Sequence, residues 1–209
     1  MFVFDNPSGG MGQSAVLTSY RDGVRSVEGL AAIVDWDARI PCRDWRPVDL
    51  VGHLLTIVRY YHRLLDAAAN GQPLSGLPQG SQLAAMNARE LATLTEVGGA
   101  RRAREFVAAA DDYAERLHSA DWAMTLGVWS GMGPLTLGQH TVLILGEWHV
   151  HAWDLPRTAG LDYEPDDPVI VAKGQGAVVI ESGSDDPWTW VLAAYGRDHN
   201  WAGTIEGSD

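Results

Sequence analysis

Apolar residues recur every three or four positions along much of this chain, which is the spacing typical of amphipathic helices. Between residues 14 and 36 this repeat predicts a first helix, with Val16, Tyr20, Val24 and Val27 on its apolar face. That face is expected to enter a hydrophobic core, while the opposite face meets solvent.

A second helix is predicted from Pro47 to about Asn70, because proline suits the first turn of a helix, where its missing N–H breaks no hydrogen bond. Its apolar stripe includes His53, which lies between Leu50 and Leu54 in the repeat. A histidine on that face is expected to be buried, and a buried imidazole needs a polar partner.

Glycine, proline and serine between residues 71 and 80 end the pattern of the second helix. A third helix is predicted from Ser81 to about Ser119, and a break at Gly98 and Gly99 is left open.

A fourth helix is predicted from Pro134 to about Ala159, after an aromatic and glycine-rich connection and before Gly160. Two shorter apolar segments, Val169–Ile180 and Trp188–Tyr195, are also predicted to be helical. The valine-rich end of the first segment is equally compatible with a strand.

Four long helices predict an all-α fold, namely a four-helix bundle with a short C-terminal extension. We assign the bundle domain to residues 14–209. Residues 1–13 are rich in Gly, Ser, Asn and Pro and are predicted to form a flexible leader.

The fourth predicted helix carries a candidate metal-binding pattern. At roughly 100° per residue, Glu147, His151 and Asp154 fall on one narrow face, and His140 extends that face two turns earlier. The same face is apolar around Leu143, so an uncompensated charge there would be costly. A bound cation would compensate it.

Inward-facing polar residues from different helices form the sites of helical bundles, so His53 is expected to join Glu147 and His151. Two imidazoles and one carboxylate make a three-ligand set that suits zinc and leaves one position for water or substrate. Iron, nickel and manganese also accept such ligands. Asp154 or His140 is expected to orient a ligand imidazole.

A purely structural interpretation fits the same residues. His53 can be a core histidine bonded to a backbone carbonyl, and Glu147 can pair with an arginine such as Arg59 or Arg63. His149 points about 160° away from the candidate ligands around the helix, so we place it off the site.

The chain has 209 residues and a net charge of -12, which argues against nucleic acids and anionic membranes as partners. No apolar run reaches the roughly 20 residues that a membrane span needs. The one cysteine, Cys42, allows no internal disulfide, suits a reducing cytoplasm, and is interpreted as an incidental thiol in a surface loop. Among the nine tryptophans, Trp129 and Trp153 are the candidates for contact with a small-molecule substrate.

Three sequence blocks, WRPVDLVGHL at residues 45–54, EWHVHAWDL at 147–155 and LAAYGRDHNW at 192–201, occur in an order that resembles the DinB-like family of mycothiol-dependent maleylpyruvate isomerase. The resemblance spans most of the chain. It implies a four-helix bundle whose divalent metal, commonly zinc, is held by the residues at His53, Glu147 and His151.

The resemblance further implies an enzyme that uses mycothiol or a similar small thiol as a cofactor. The metal-bound thiol would be transferred to, or would isomerise, a small electrophilic substrate. The chain departs from the isomerase itself, because it is short after the fourth helix and has no arginine just before Glu147. It is closer to short relatives, in which Arg197 is either a substrate clamp or a packing or salt-bridge residue.

Two other functions remain open at this point. The bundle can be a metal-independent protein that binds or cyclises an apolar molecule in an aromatic cavity, or a non-catalytic accessory protein that forms a homodimer.

Overall fold

The computed structural model describes residues 11–42, 45–78, 80–94, 97–129, 133–175 and 186–197. The fold is mostly helical. Its helices are α1 (Gln13–Ala31), α2 (Pro47–Ala69), α3 (Gly80–Ala92), α4 (Gly99–Ser119), α5 (Leu137–Leu143), α6 (Leu145–Asp154), α7 (Pro168–Gly174) and α8 (Pro187–Ala194), with a 3-10 turn at Pro156–Ala159. Its strands are β1 (Leu74–Leu77), β2 (Thr125–Trp129) and β3 (Gly133–Thr136).

Helices α1, α2, α4 and α6 pack around the main hydrophobic core, which confirms the predicted all-α bundle. The apolar face predicted for α1 is buried, including Val16, Tyr20 and Val27. Trp148 of α6 fills the centre and meets the Tyr20 ring edge to face, at 5.6 Å between ring centroids. The helical repeat therefore identified the core-facing sides correctly.

The predicted bounds hold best for α2, which begins at Pro47 and ends one residue before Asn70. The first helix ends at Ala31, earlier than the repeat suggested. The third predicted helix is in fact two helices, α3 and α4. The sequence had allowed a break at Gly98 and Gly99, and α4 begins at Gly99.

The prediction of one continuous fourth helix from Pro134 was wrong. Pro134 lies in strand β3, whose first residue, Gly133, has a positive φ of 85°. Thr136 then starts α5, because its side chain accepts a hydrogen bond from the backbone N–H of Gln139. A turn at Ile144 separates α5 from α6.

The aromatic connection before this helix forms a small sheet in place of the predicted loop. Strand β2 pairs in parallel with β1 and antiparallel with β3, in the order β1-β2-β3. Threonine, valine and tryptophan in the segment Thr125–Trp129 favour strands, and its backbone groups find partners on both sides. The sheet ties the chain before α3 to the chain before α5.

The C-terminal extension packs on α6 through a second hydrophobic cluster. Val150 and Trp153 of α6 meet Val171 of α7 and Trp188 and Leu192 of α8 there. The helices predicted in this extension are present as α7 and α8, whereas the possible strand at residues 177–180 and residues 1–10 of the predicted leader lie outside the described residues. No helix in the described part of the chain is long and apolar enough to cross a bilayer.

Candidate metal centre

The three predicted ligands lie together where α2 faces α6. The Oε2 atom of Glu147 is 3.7 Å from Nε2 of His53 and 3.6 Å from Nε2 of His151. The donor atoms of all three side chains lie within 4.8 Å of one another. The structure thus brings the two imidazoles and the carboxylate to one point.

The helices explain this convergence. Glu147 and His151 are four residues apart on α6, so they lie one above the other on one helical face. His53 enters from the apolar face of α2, and its ring contacts the His151 ring edge to face, at 5.3 Å between centroids. Both histidines are buried, while the Glu147 side chain keeps 29% of its surface exposed.

The donor spacing fits a bound cation better than a hydrogen bond. Separations of 3.6 and 3.7 Å exceed the roughly 3.2 Å limit of a good N–H···O bond. In a tetrahedral zinc site with bonds of about 2.1 Å, neighbouring donor atoms lie about 3.4 Å apart. The nitrogen and oxygen donors are also the types that zinc and similar divalent metals accept.

The local charges keep Glu147 in the form that can ligate a metal. Burial alone would raise the pKa of its carboxyl group, but the neighbouring imidazoles of His151 and His53 hold that pKa well below its usual range. Glu147 is therefore a carboxylate at neutral pH.

Asp154 orients the His151 ring. Its Oδ2 atom accepts a hydrogen bond from Nδ1 of His151 at 2.8 Å, so in the neutral imidazole the lone pair is on Nε2, the nitrogen nearest Glu147. Burial would lower the pKa of His151, but Asp154 and Glu147 raise it above its usual value. The contact is the carboxylate–histidine arrangement that commonly supports metal ligands.

Arg197 completes this chain of contacts from the C-terminal extension. Its Nε and Nη2 atoms donate to Oδ1 and Oδ2 of Asp154 at 2.9 and 2.7 Å. The Asp154 side chain is fully buried, so the guanidinium supplies the charge that the carboxylate needs. Of the two roles left open for Arg197, the structure shows the salt bridge.

Cys42 is not the surface thiol that the sequence suggested. It is buried, interacts with the Arg197 side chain, and offers a ligand atom within 4.8 Å of those of His151 and Asp154. These three residues form a second group that could hold a metal, although Asp154 already accepts three hydrogen bonds from His151 and Arg197. No local sequence signal revealed this position, since Cys42 precedes α2 and reaches the site only through the fold.

The predicted ligands His53, Glu147 and His151 are here called the triad. Two cavities adjoin it and share Glu147, Leu83 and Tyr195 in their walls. The first, of about 220 Å³, is here called the metal cavity. Its other lining residues are Cys42, Trp45, His53, Ala84, Asn87, His151 and Arg197.

The second cavity, of about 160 Å³, is here called the apolar cavity. Its other lining residues are Tyr60, Tyr61, Leu64, Pro78, Leu135, His140, Leu143, Ile144 and Gln175.

His140 lies apart from the ligand imidazoles, because the turn at Ile144 interrupts the helical face that was predicted to align them. Its ring instead meets the Tyr61 ring edge to face at 4.7 Å, in the wall of the apolar cavity. Its Nδ1 atom is buried and makes no hydrogen bond within the described part of the chain. Asp154, and not His140, therefore orients the ring of His151.

The two predicted tryptophan contacts have different outcomes. Trp153 is fully buried in the second hydrophobic cluster, where the Arg157 guanidinium lies 4.2 Å from its ring centroid, and it does not line the metal cavity. The backbone of Trp129 ends strand β2, and its side chain lies outside the described residues. Trp45 lines the metal cavity, with its ring centroid 5.1 Å from that of His53.

His149 points away from the triad, as its helical position predicted. Its Nε2 atom donates to the backbone oxygen of Ser19 at 3.0 Å, and its Nδ1 atom is 2.6 Å from the Tyr163 hydroxyl. The arginines of the structural interpretation also have other partners, since Arg59 pairs with Glu105 and Arg63 with Glu90.

The fold and these contacts define a helical bundle with a candidate metal site between two of its helices. The family model for the mycothiol maleylpyruvate isomerase N-terminal domain matches residues 18–156, a span that includes all three predicted ligands. The chain belongs to this family, as the resemblance of its sequence blocks indicated. A search of curated proteins found no match, and neither did a search of solved structures.

Proposed function

We propose that this protein is a metal-dependent enzyme that activates a small thiol for transfer to, or isomerisation of, a small electrophilic molecule. The observation that supports this most directly is the convergence of His53, Glu147 and His151 at one wall of a cavity. Three protein ligands leave a position for an exogenous ligand, as catalytic zinc sites do. Membership of the family supports a thiol as that ligand.

In this proposal, His53, Glu147 and His151 hold a divalent metal, with zinc as the favoured ion. A bound divalent cation lowers the pKa of a coordinated thiol, so that the nucleophilic thiolate is present at neutral pH. Asp154 fixes the Nδ1 proton of His151, so the lone pair of its Nε2 atom stays available to bind the metal.

The metal cavity suits the entry of a polar thiol. Arg197 and Asn87 in its walls are polar, and Trp45 offers an aromatic face beside His53. The triad forms one side of the same cavity, so a thiol there would approach the ligands directly.

Metal analysis of purified variants tests the ligand assignment. Wild-type protein expressed with zinc is expected to contain about one equivalent, and His53→Ala is expected to lose it, because an open three-ligand site needs every ligand. Cys42→Ser is the matched control, since Cys42 belongs only to the alternative group with His151 and Asp154. Loss of metal in Cys42→Ser with retention in His53→Ala would place the ion on that alternative group.

The activity is tested separately, with a small thiol and an activated alkene. Zinc-loaded wild-type protein is expected to accelerate their conjugation, and His53→Ala is expected to react at the uncatalysed rate. Protein that binds zinc through the triad but never accelerates thiol addition or thiol-dependent isomerisation would contradict the enzymatic part of the proposal.

The apolar cavity favours a second candidate, a metal-independent protein that binds or cyclises a small apolar molecule. Three tyrosines and four leucines line it, and the ring of one of these tyrosines, Tyr61, meets the ring of His140 in its wall. Ligand-induced changes in intrinsic fluorescence that persist in the presence of a chelator would support this alternative. Binding that disappears with the metal would count against it.

A further inference from the structure

The two cavities differ in the charge of their walls. The metal cavity contains the Arg197 guanidinium, whereas the apolar cavity has no arginine or lysine among its described lining residues. Glu147, in the shared wall, is the acidic residue of that lining. An anion in the apolar cavity would lose its hydration without meeting a cationic side chain, which is unfavourable.

The polar groups of the apolar cavity do not replace that missing cation. Burial lowers the pKa of His140 to about 4, so its ring is neutral at pH 7. Gln175 is already engaged, since its Nε2 donates to the backbone oxygen of Leu143 at 2.8 Å and its Oε1 accepts from the Tyr195 hydroxyl at 3.0 Å. The remaining surface is made largely of leucine side chains and tyrosine rings.

The size of this cavity limits its occupant. A volume of about 160 Å³ is well below the roughly 300 Å³ at which pockets for drug-sized ligands begin. An apolar cavity of about 150 Å³ engineered in another protein stays dry and holds benzene. The apolar cavity therefore suits a molecule about the size of one six-membered ring.

Glu147 gives the apolar cavity its relation to the triad. Its side chain lines both cavities, so a molecule in the apolar cavity lies beside the same carboxylate that faces His53 and His151. Leu83 and Tyr195 also line both cavities, so reactants held in the two cavities would be neighbours, as catalysis by positioning requires.

We propose that the apolar cavity is the binding site of the electrophile, that the electrophile is an uncharged molecule about the size of one six-membered ring, and that the thiol enters separately through the metal cavity. This inference rests on the proposed function. For an activated alkene, the sulfur forms a bond to the β carbon and the π pair moves to the α carbon. The proton released by the thiol ends on that α carbon.

Two cavity-filling variants test the division of roles. Leu135 lines the apolar cavity and not the metal cavity, whereas Ala84 lines the metal cavity and not the apolar cavity. With N-acetylcysteine and 2-cyclohexen-1-one as probes, Leu135→Phe is expected to raise KM for the enone at least about fivefold and leave KM for the thiol unchanged. Ala84→Leu is expected to do the reverse. Both variants should bind zinc as the wild type does.

If both variants raise KM for the same probe, the assignment of the enone to the apolar cavity and of the thiol to the metal cavity is wrong. Because Leu135 is buried and Leu135→Phe can fail to fold, Leu143→Phe at a half-buried position of the same wall is the second variant. A Leu143→Arg variant should improve the use of a carboxylate-bearing enone relative to 2-cyclohexen-1-one. No change in that ratio would overturn the argument from wall charge.

A binding measurement separates this inference from the proposed activity. Saturation-transfer NMR on zinc-loaded protein should detect benzyl alcohol, and Leu143→Phe should weaken that signal. Benzoate can ligate the open position of the zinc, so any benzoate signal should be unaffected by Leu143→Phe. If Leu143→Phe weakens the benzoate signal as much as that of benzyl alcohol, the uncharged class of occupant is wrong. If benzyl alcohol binds in this manner but no thiol addition occurs, the assigned occupant is supported and the proposed activity is overturned.

Discussion

Arg197 forms a two-bond ion pair with the buried carboxylate of Asp154, with donor–acceptor distances of 2.9 and 2.7 Å. Asp154 also accepts the Nδ1 proton of His151. A residue of the C-terminal extension thereby stabilises the orientation of a proposed metal ligand on α6, through one carboxylate.

Arg197→Gln is expected to lower the free energy of unfolding by about 3–5 kcal/mol, because it leaves the buried Asp154 carboxylate without a compensating charge. Urea unfolding followed by circular dichroism measures this. Arg21→Gln is the control, since Arg21 pairs on the surface with Glu115, whose side chain is 75% exposed, and such pairs contribute at most about 1 kcal/mol. Equal effects of the two variants would show that the buried Arg197–Asp154 pair stabilises the fold no more than the surface pair does.

Asp154→Asn is expected to weaken zinc binding by about 10- to 100-fold, because the amide is a poorer partner for the His151 Nδ1 proton. Competition against a chromophoric chelator gives the affinity. Asp66→Asn, which alters the ion pair with Arg116 near the C-terminal end of α2, should leave the affinity unchanged. An unchanged zinc affinity in Asp154→Asn would exclude Asp154 as the residue that supports the ligand.

Gly146→Ala is expected to destabilise the fold by about 1–3 kcal/mol, because an added methyl group would collide with the Tyr195 hydroxyl and the Gln175 amide. Gly29→Ala is the matched control on α1, where a methyl group meets no atom within 4 Å and should raise helix stability by roughly 0.5–1 kcal/mol. Thermal unfolding of the pair compares the two signs directly. Stabilisation by both substitutions would mean that the extension does not pack closely on α6.

Stability of the metal-free protein is expected to fall as pH decreases from about 6.5 to about 4. Burial lowers the pKa of His140 and His149 to about 4 in the folded state, so in this window the unfolded chain binds protons that the folded chain does not. His140→Phe should remove part of this pH dependence, and His118→Gln, at an exposed position, should not. Urea midpoints at pH 7 and pH 5, measured in the presence of a chelator, provide the comparison. An equal loss of stability between these pH values in the wild type and in His140→Phe would contradict the prediction.

The periodicity of apolar residues was sufficient to predict the helical bundle and the facing positions of its candidate ligands. Glu147 and His151 are four residues apart on one helix, so their proximity is a local property. His53 could be added because it lies on the apolar face of its own helix, and the apolar faces of the helices of a bundle meet in the core.

The interactions that sequence reasoning missed are long-range or depend on a break in a helix. The position of Cys42 beside His151 and Asp154 depends on how the chain before α2 folds over the site, which periodicity does not encode. His140 left the predicted ligand face because the turn at Ile144 changes the helical phase. The strands escaped prediction because glycine and proline in a short segment are equally compatible with a loop.

The residues that form the triad and several residues that shape its surroundings lie in different parts of the chain. The match to the family model ends at residue 156, whereas Gln175, Tyr195 and Arg197 come later. Substitutions in the later segment can therefore alter which small molecules fit without touching the ligands themselves. If the proposed site is correct, the three predicted ligands by themselves would not specify the substrate, because residues after position 156 also shape both cavities.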